Sequence, residues 1–155
     1  MDGDKIAAMV SDFVENQRYG VLATSGTKGT YASLMAYAPA DGGRRIVYAT
    51  ERDTRKYDNM RGDEEVALLI DDRAAAGKGP EEVMTVTAIG RAQRCSSDRR
   101  EEEHRRRLVE RHPGLEDFLM KDECEVMVLN VREFRVVGHF QTGEEVDMIL
   151  RGDEL

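Results

Sequence analysis

Apolar residues at Ile6, Met9, Val10, Phe13 and Val14 recur with the 3.6-residue period of a helix that buries one face. The period breaks near Tyr19-Gly20. Short runs rich in β-branched and aromatic residues follow, separated by glycine-rich turns. Residues 21–24, 30–38 and 45–50 read as strands, with residues 25–29 and 40–43 as the turns between them and Asp41-Gly42 as a hairpin signal. Connections this short imply antiparallel neighbours, because a parallel pair needs a crossover of a dozen residues or more. Asp53 is the expected N-cap of a helix over residues 54–61, which Gly62 and Asp63 close. The continuous apolar run at residues 66–70 predicts a strand buried on both faces. A loop over residues 71–82 follows, with residues 74–80 as its mobile part, and then the longest strand, residues 83–94.

Asp98 and Glu101 are expected to cap a charged helix that stops at His112-Pro113. A short helix over residues 115–120 and a last strand or strand pair over residues 126–137 complete the pattern. The acidic tail from Gly143 carries Val146, Met148, Ile149 and Leu150; it fits a frayed terminus or a segment packed on a partner subunit. The expectation is one mainly β domain over residues 1–155 with its core at about residues 19–139. Six antiparallel strands closed or partly closed into a barrel, with helices at the periphery, would hide the strand edges an open sheet exposes.

Composition narrows the function. The net charge of −8 speaks against a nucleic-acid partner, which needs a basic face. The one basic cluster, Arg99-Arg100 and Arg105-Arg106-Arg107, alternates with Glu101-Glu102-Glu103 at the spacing that pairs Glu with Arg four residues on. His104 and His112, on that helix, are expected to be solvated. No apolar run approaches the ~20 residues of a membrane span. No signal-peptide core follows Met1, so a cytoplasmic location is expected, and Cys95 and Cys124 are expected to be free thiols. No metal-ligand spacing, nucleophile elbow or Walker loop occurs. Cofactor chemistry survives these exclusions, because a protein need only bind and orient a cofactor.

One local feature stands out. Arg55 and Lys56 fall in the first turn of the helix after the third strand, where the free backbone N–H groups favour acidic side chains. Two readings fit the turn taken alone: a solvated helix start with two surface cations, or a site for an external anion such as a phosphate.

Residues 19–94 resemble the FMN-binding split barrel of the pyridoxamine 5′-phosphate oxidase-like superfamily, most densely over residues 46–70. The shared order is a strand ending in Thr50, a three-residue turn, Thr54-Arg55-Lys56, an amphipathic helix and the apolar strand Val66-Ala67-Leu68-Leu69-Ile70. Ile89-Gly90-Arg91-Ala92 is similar to a further family stretch. The resemblance implies FMN as cofactor. Arg55 and Lys56 would contact its 5′-phosphate, and Ala49 and Thr50 the phosphate or ribityl chain, with Thr54 at the helix start. Backbone groups of Ser33, Leu34 and Met35 would meet the ring edge, and Thr85 would stand where the oxidases carry a glutamine. It also implies a homodimer with the flavin between subunits, and an oxidoreductase moving electrons or hydride between FMN and a small molecule. The chain departs from the oxidases at Ser33, at Thr85 and at its end, where their Trp-x-x-x-Arg-Leu stretch has no counterpart. Pyridoxamine phosphate is therefore not the implied substrate. A non-catalytic flavin-binding or sensing protein, or a haem- or deazaflavin-binding relative with His139 as candidate haem ligand, are the alternatives on the same fold.

Overall fold

The computed structural model describes residues 3–75, 79, 81–139, 145–151 and 154, with backbone only at residues 139, 145 and 146. Helix α1 (Gly3–Asn16) leads into the hairpin β1 (Tyr19–Gly26) and β2 (Gly29–Ala36), then β3 (Ala38–Ala40) and β4 (Arg45–Glu51). Helix α2 (Arg55–Gly62) connects β4 to β5 (Glu65–Asp71), which pairs with β6 (Thr85–Arg94). Helices α3 (Asp98–Arg111) and α4 (Glu116–Leu119) precede the long β7 (Cys124–His139) and β8 (Glu145–Arg151). Every pairing is antiparallel, in the order β2-β1-β5-β6-β7-β4-β3, with β8 also on β7. The sheet curls so that β2, its first strand, approaches β4, the neighbour of the last strand β3, without pairing. The result is a barrel with an open seam and, among the described residues, four α-helices around it. Gly90 marks one place where the curl is made. The β6–β7 register slips between Ile89 and Gly90, and a Cβ at Gly90 would lie 2.0 Å from the Asn130 carbonyl oxygen.

Among the described residues there are eight strands where six are expected. A break at Tyr37 separates β3 from β2, and the tail pairs with β7 as β8, burying Leu150 in the core rather than fraying. Of the loop expected to be mobile, residues 76–78 and 80 lie outside the described residues.

The barrel interior holds Leu22, Met35, Tyr37, Ile46, Tyr48, Leu68, Val86, Leu129 and Phe134, together with the apolar face of α1. A second cluster lies outside the barrel, where α3 and α4 cover the outer face of β4 and β7; Val47, Ala49, Val126, Leu108 and Leu119 meet there. Arg105 fastens this layer, with its guanidinium donating to Glu101, to the Leu119 carbonyl and, at 3.2 Å, to the Cys124 carbonyl. Glu101 and Glu102 pair with Arg105 and Arg106 as the spacing predicts, whereas Arg107 donates to the Pro39 carbonyl instead. The cap of α3 is Ser97, not Asp98, because the serine oxygen accepts from Arg100 N–H. His112 is buried, with Nε2 2.7 Å from the Tyr37 carbonyl, so it ties α3 to the barrel rather than facing solvent; His104 is half-buried.

β5 also differs from expectation. Val66, Leu68 and Ile70 are buried, but Ala67 and Leu69 on the other face are only half-buried. With Tyr19, Val21 and Leu34, Leu69 lines an open groove of about 540 Å3.

Candidate functional site

The seam between β2 and β4 is the candidate site. The end of β4 turns directly into α2, and the turn is built by threonine hydroxyls. The N-cap is Thr54, not Asp53. Its Oγ1 accepts from Tyr57 N–H at 3.4 Å and donates to the Glu51 carbonyl at 2.8 Å. The buried Thr50 hydroxyl lies 3.2 Å from the same oxygen and is the donor between them, because the single Thr54 proton is already committed to Glu51. One donor and two acceptor positions are thus all used, and the Thr54 hydroxyl serves the turn. The backbone N–H groups of Arg55 and Lys56, the first two helical residues, receive nothing from this cap and keep the electropositive character of a helix start. On the far side of α2, Asn59 donates to Thr24 Oγ1 at 3.1 Å and fills the space that Gly26 leaves by lacking a Cβ, which seats the helix on β1.

The groove above this turn measures about 340 Å3. One wall is Leu34, Met35 and Ala36 of β2, the other Ala49, Thr50 and Glu51 of β4. Thr54 and Lys56 close one end, and Leu115 and Phe118 project from the α4 segment. Two properties suit it to a ligand with an anionic end and a flat polar edge. Among the described residues β2 pairs with β1 on one side only, which leaves its other backbone edge for hydrogen bonds from a ligand. Lys56 is half-buried and has no ion pair among the described residues, whereas the neighbouring Glu51 carboxylate is neutralised by Lys121 at 3.1 Å.

Six of the nine residues singled out from the sequence line this groove: Leu34, Met35, Ala49, Thr50, Thr54 and Lys56. Three do not. Ser33 alternates to the barrel side of β2, where its hydroxyl is buried without a partner. Arg55 points away from the groove; it donates to the Lys28 carbonyl at 2.8 Å and lies over the Tyr31 ring, 5.1 Å from its centroid. Thr85 stands at the start of β6, two strands beyond the β1–β2 hairpin, and donates to the Val137 carbonyl. Conversely, Ala36, Glu51, Leu115 and Phe118 belong to the groove but do not stand out in the sequence. The apolar period of the short helix predicted over residues 115–120 was the available signal, but only packing aims it at the seam. Among the described residues no group of three or more His, Cys, Asp or Glu could hold a metal, and no helix is long and apolar enough to cross a membrane.

A split antiparallel barrel with a groove at its seam defines the class of the protein, and the sequence comparison gives the family. The profile of the pyridoxamine 5′-phosphate oxidase family matches residues 6–138, and the chain belongs to that family. Among solved structures, a haem-binding protein of Mycobacterium smegmatis superposes with a TM-score of 0.81 at 21% identity, over 99% of this chain and 60% of that one. A Clostridium acetobutylicum protein related to general stress protein 26, of the pyridoxinephosphate oxidase family, gives 0.73 at 16% identity over 99% of both chains. A FAD-binding protein of Mesorhizobium loti gives 0.64 at 16% identity, over 80% of this chain and 88% of that one. These likenesses show the fold. No curated protein matches the sequence.

Proposed function

We propose that the chain is an FMN-dependent oxidoreductase that works as a homodimer. The observation that carries this reading is the seam groove, where the unpaired Lys56 ammonium and the first-turn N–H groups of α2 meet the free backbone edge of β2. Lys56 and the helix start would hold the 5′-phosphate by charge-assisted hydrogen bonds. The β2 edge at Ser33, Leu34 and Met35 would position the ring, Ala49 and Thr50 would floor the ribityl chain, and Phe118 and Leu115 would exclude water. FMN, when bound, supplies the electron or hydride transfer, so no side chain need act as acid or base. The groove's 340 Å3 is near the lower limit of ligand pockets, about 300 Å3, which favours a mononucleotide over a dinucleotide.

The same volume leaves part of a flavin uncovered. Thr85 lies away from the groove of its own chain, and the apolar groove at Tyr19, Leu34 and Leu69 shares Leu34 with the seam. A second copy laid across that face would cover both grooves and bring its own β5–β6 region towards the flavin. Haem is the second reading, supported by the Mycobacterium smegmatis structure. Among the described residues no His, Cys or Tyr lines the seam groove as an axial ligand, and the side chain of His139, the candidate haem ligand, lies outside the described residues.

The visible spectrum of the purified protein, before and after titration with FMN, tests the reading. Oxidised-flavin bands that bleach with NADH or NADPH, and turn over with an electron acceptor, are expected. Flavin bands without turnover would make it a binder or sensor. Protein that stays colourless through the titration would refute the reading, and a Soret band would move it to haem.

A further inference from the structure

A second cavity, of about 180 Å3, lies beneath α3. Its floor is the outer face of the sheet, where Arg45 of β4 is paired with Asn130 of β7, and Gln93 of β6 with Val128 of β7. Cross-strand partners share a face, so these side chains stand together. Helix α3 lays Arg100 and His104, one turn apart, over them, and Arg94 stands where β6 ends. Among the described residues no carboxylate lines the cavity, in a chain whose net charge is −8.

The charges are only partly answered from outside. Asp41 pairs with Arg45 at 3.2 Å, and Glu125 with Arg94 at 3.3 Å, but Glu125 is shared with Arg52 at 3.0 Å. Arg100 uses only its backbone N–H, to Ser97; among the described residues its guanidinium has no hydrogen-bond or ion-pair partner. The Nδ1 of His104 is shut off from solvent and unpartnered, so Nε2 is the ring nitrogen a ligand can reach. Burial first, and then the charges of Arg107, Arg100 and Arg45, hold the His104 pKa below its ordinary value against the opposing pull of Glu103. Like charges gathered around one cavity repel, and an anion between them would relieve the repulsion.

We propose that this cavity binds a dianionic oxyanion of the phosphate class, either free phosphate or the phosphoryl end of a small ester, between the guanidinium groups of Arg45, Arg94 and Arg100. The amides of Gln93 and Asn130 and the Nε2–H of His104 supply the neutral hydrogen bonds. The site is independent of the seam groove. Arg45 here and Ala49 there are four residues apart on β4, about 13 Å at strand rise. The volume admits a phosphoryl group with a few further atoms and excludes a nucleotide.

Calorimetric titration of the full chain with inorganic phosphate, and separately with glycerol 3-phosphate, at ionic strength held constant with chloride, tests the proposal. Saturable binding is expected, weakened about tenfold by Arg100→Gln and retained in Lys56→Gln. A stronger response to the ester names an ester as the ligand; an equal one names free phosphate. No binding in the millimolar range, unchanged binding in Arg100→Gln, or loss in Lys56→Gln alone would overturn it. Side-chain amide resonances of Gln93 and Asn130 give a readout on the unmutated protein: they are expected to shift with phosphate, and fixed resonances would count equally against the site.

Discussion

Replacing Lys56 by Gln removes the cation of the seam groove and leaves the turn intact, because Thr50, Thr54 and Glu51 build the turn without it. A hydrogen bond to a charged group contributes about 1.5–3 kcal/mol, and Lys56 has no competing carboxylate to leave, so the FMN phosphate should lose about 2 kcal/mol, or about 30-fold in Kd. Arg55 has the same charge but a different starting point. To reach a phosphate it must leave the Lys28 carbonyl, about 1 kcal/mol, and the Tyr31 ring, about 0.5–1 kcal/mol. Arg55→Gln should therefore weaken FMN by no more than about threefold. Riboflavin lacks the phosphate and should bind both variants as it binds the parent. Flavin fluorescence quenching at low salt, with circular dichroism as the folding control, measures all six affinities. Added salt should shrink the Lys56 effect, because an accessible pair is screened. An Arg55→Gln loss equal to that of Lys56→Gln, or equal losses for FMN and riboflavin, would refute the placement of the phosphate at Lys56.

Thr54→Ala removes the α2 cap and should cost about 1 kcal/mol in urea denaturation, with the slope unchanged. Gly90→Ala should cost about 3 kcal/mol or prevent folding, since the new methyl meets backbone at Asn130 that cannot turn aside. Leu150→Ala should cost about 3 kcal/mol if β8 completes the core; an effect below about 0.5 kcal/mol would mean the tail is dispensable. Burial holds the Tyr37 and Tyr48 phenols well above their ordinary value near 10, Arg111 partly opposing this at Tyr37. A folded-state pKa above the unfolded one gives stability that is complete below about pH 10 and falls as pH rises beyond it. Alkaline unfolding should therefore coincide with the titration of these two phenols by tyrosinate absorbance, and Tyr48→Phe should flatten the decline.

Local signals were legible where the chain decides structure with its neighbours in sequence. The apolar period of α1, the turns at Gly26–Gly29 and Asp41–Gly43, and the strand–turn–helix step at Thr50–Lys56 all depend on residues within a few positions of one another. The sequence points to caps one residue off in opposite directions, Asp53 for Thr54 and Asp98 for Ser97, because Asp, Ser and Thr are near-equal caps and the choice falls to the oxygen that the backbone path brings under the N–H groups. β8 has no clear local signal, because a mixed polar and apolar tail becomes a strand only when β7 offers it an edge.

The sequence by itself determined the antiparallel class, the family and the strand-to-helix turn that carries Arg55 and Lys56. It placed those two cations side by side but could not divide their work. That division came from tertiary structure: the Lys28 carbonyl and the Tyr31 ring, from another hairpin, draw Arg55 aside, while Lys56 lines the groove without an ion pair among the described residues. The second cavity is likewise tertiary, since Arg45, Arg94 and Arg100 come from three elements that meet only when α3 packs on the outer face of the barrel. Periodicity and turn chemistry act over a few residues. Which charge is left without a partner depends on every surface folded against it.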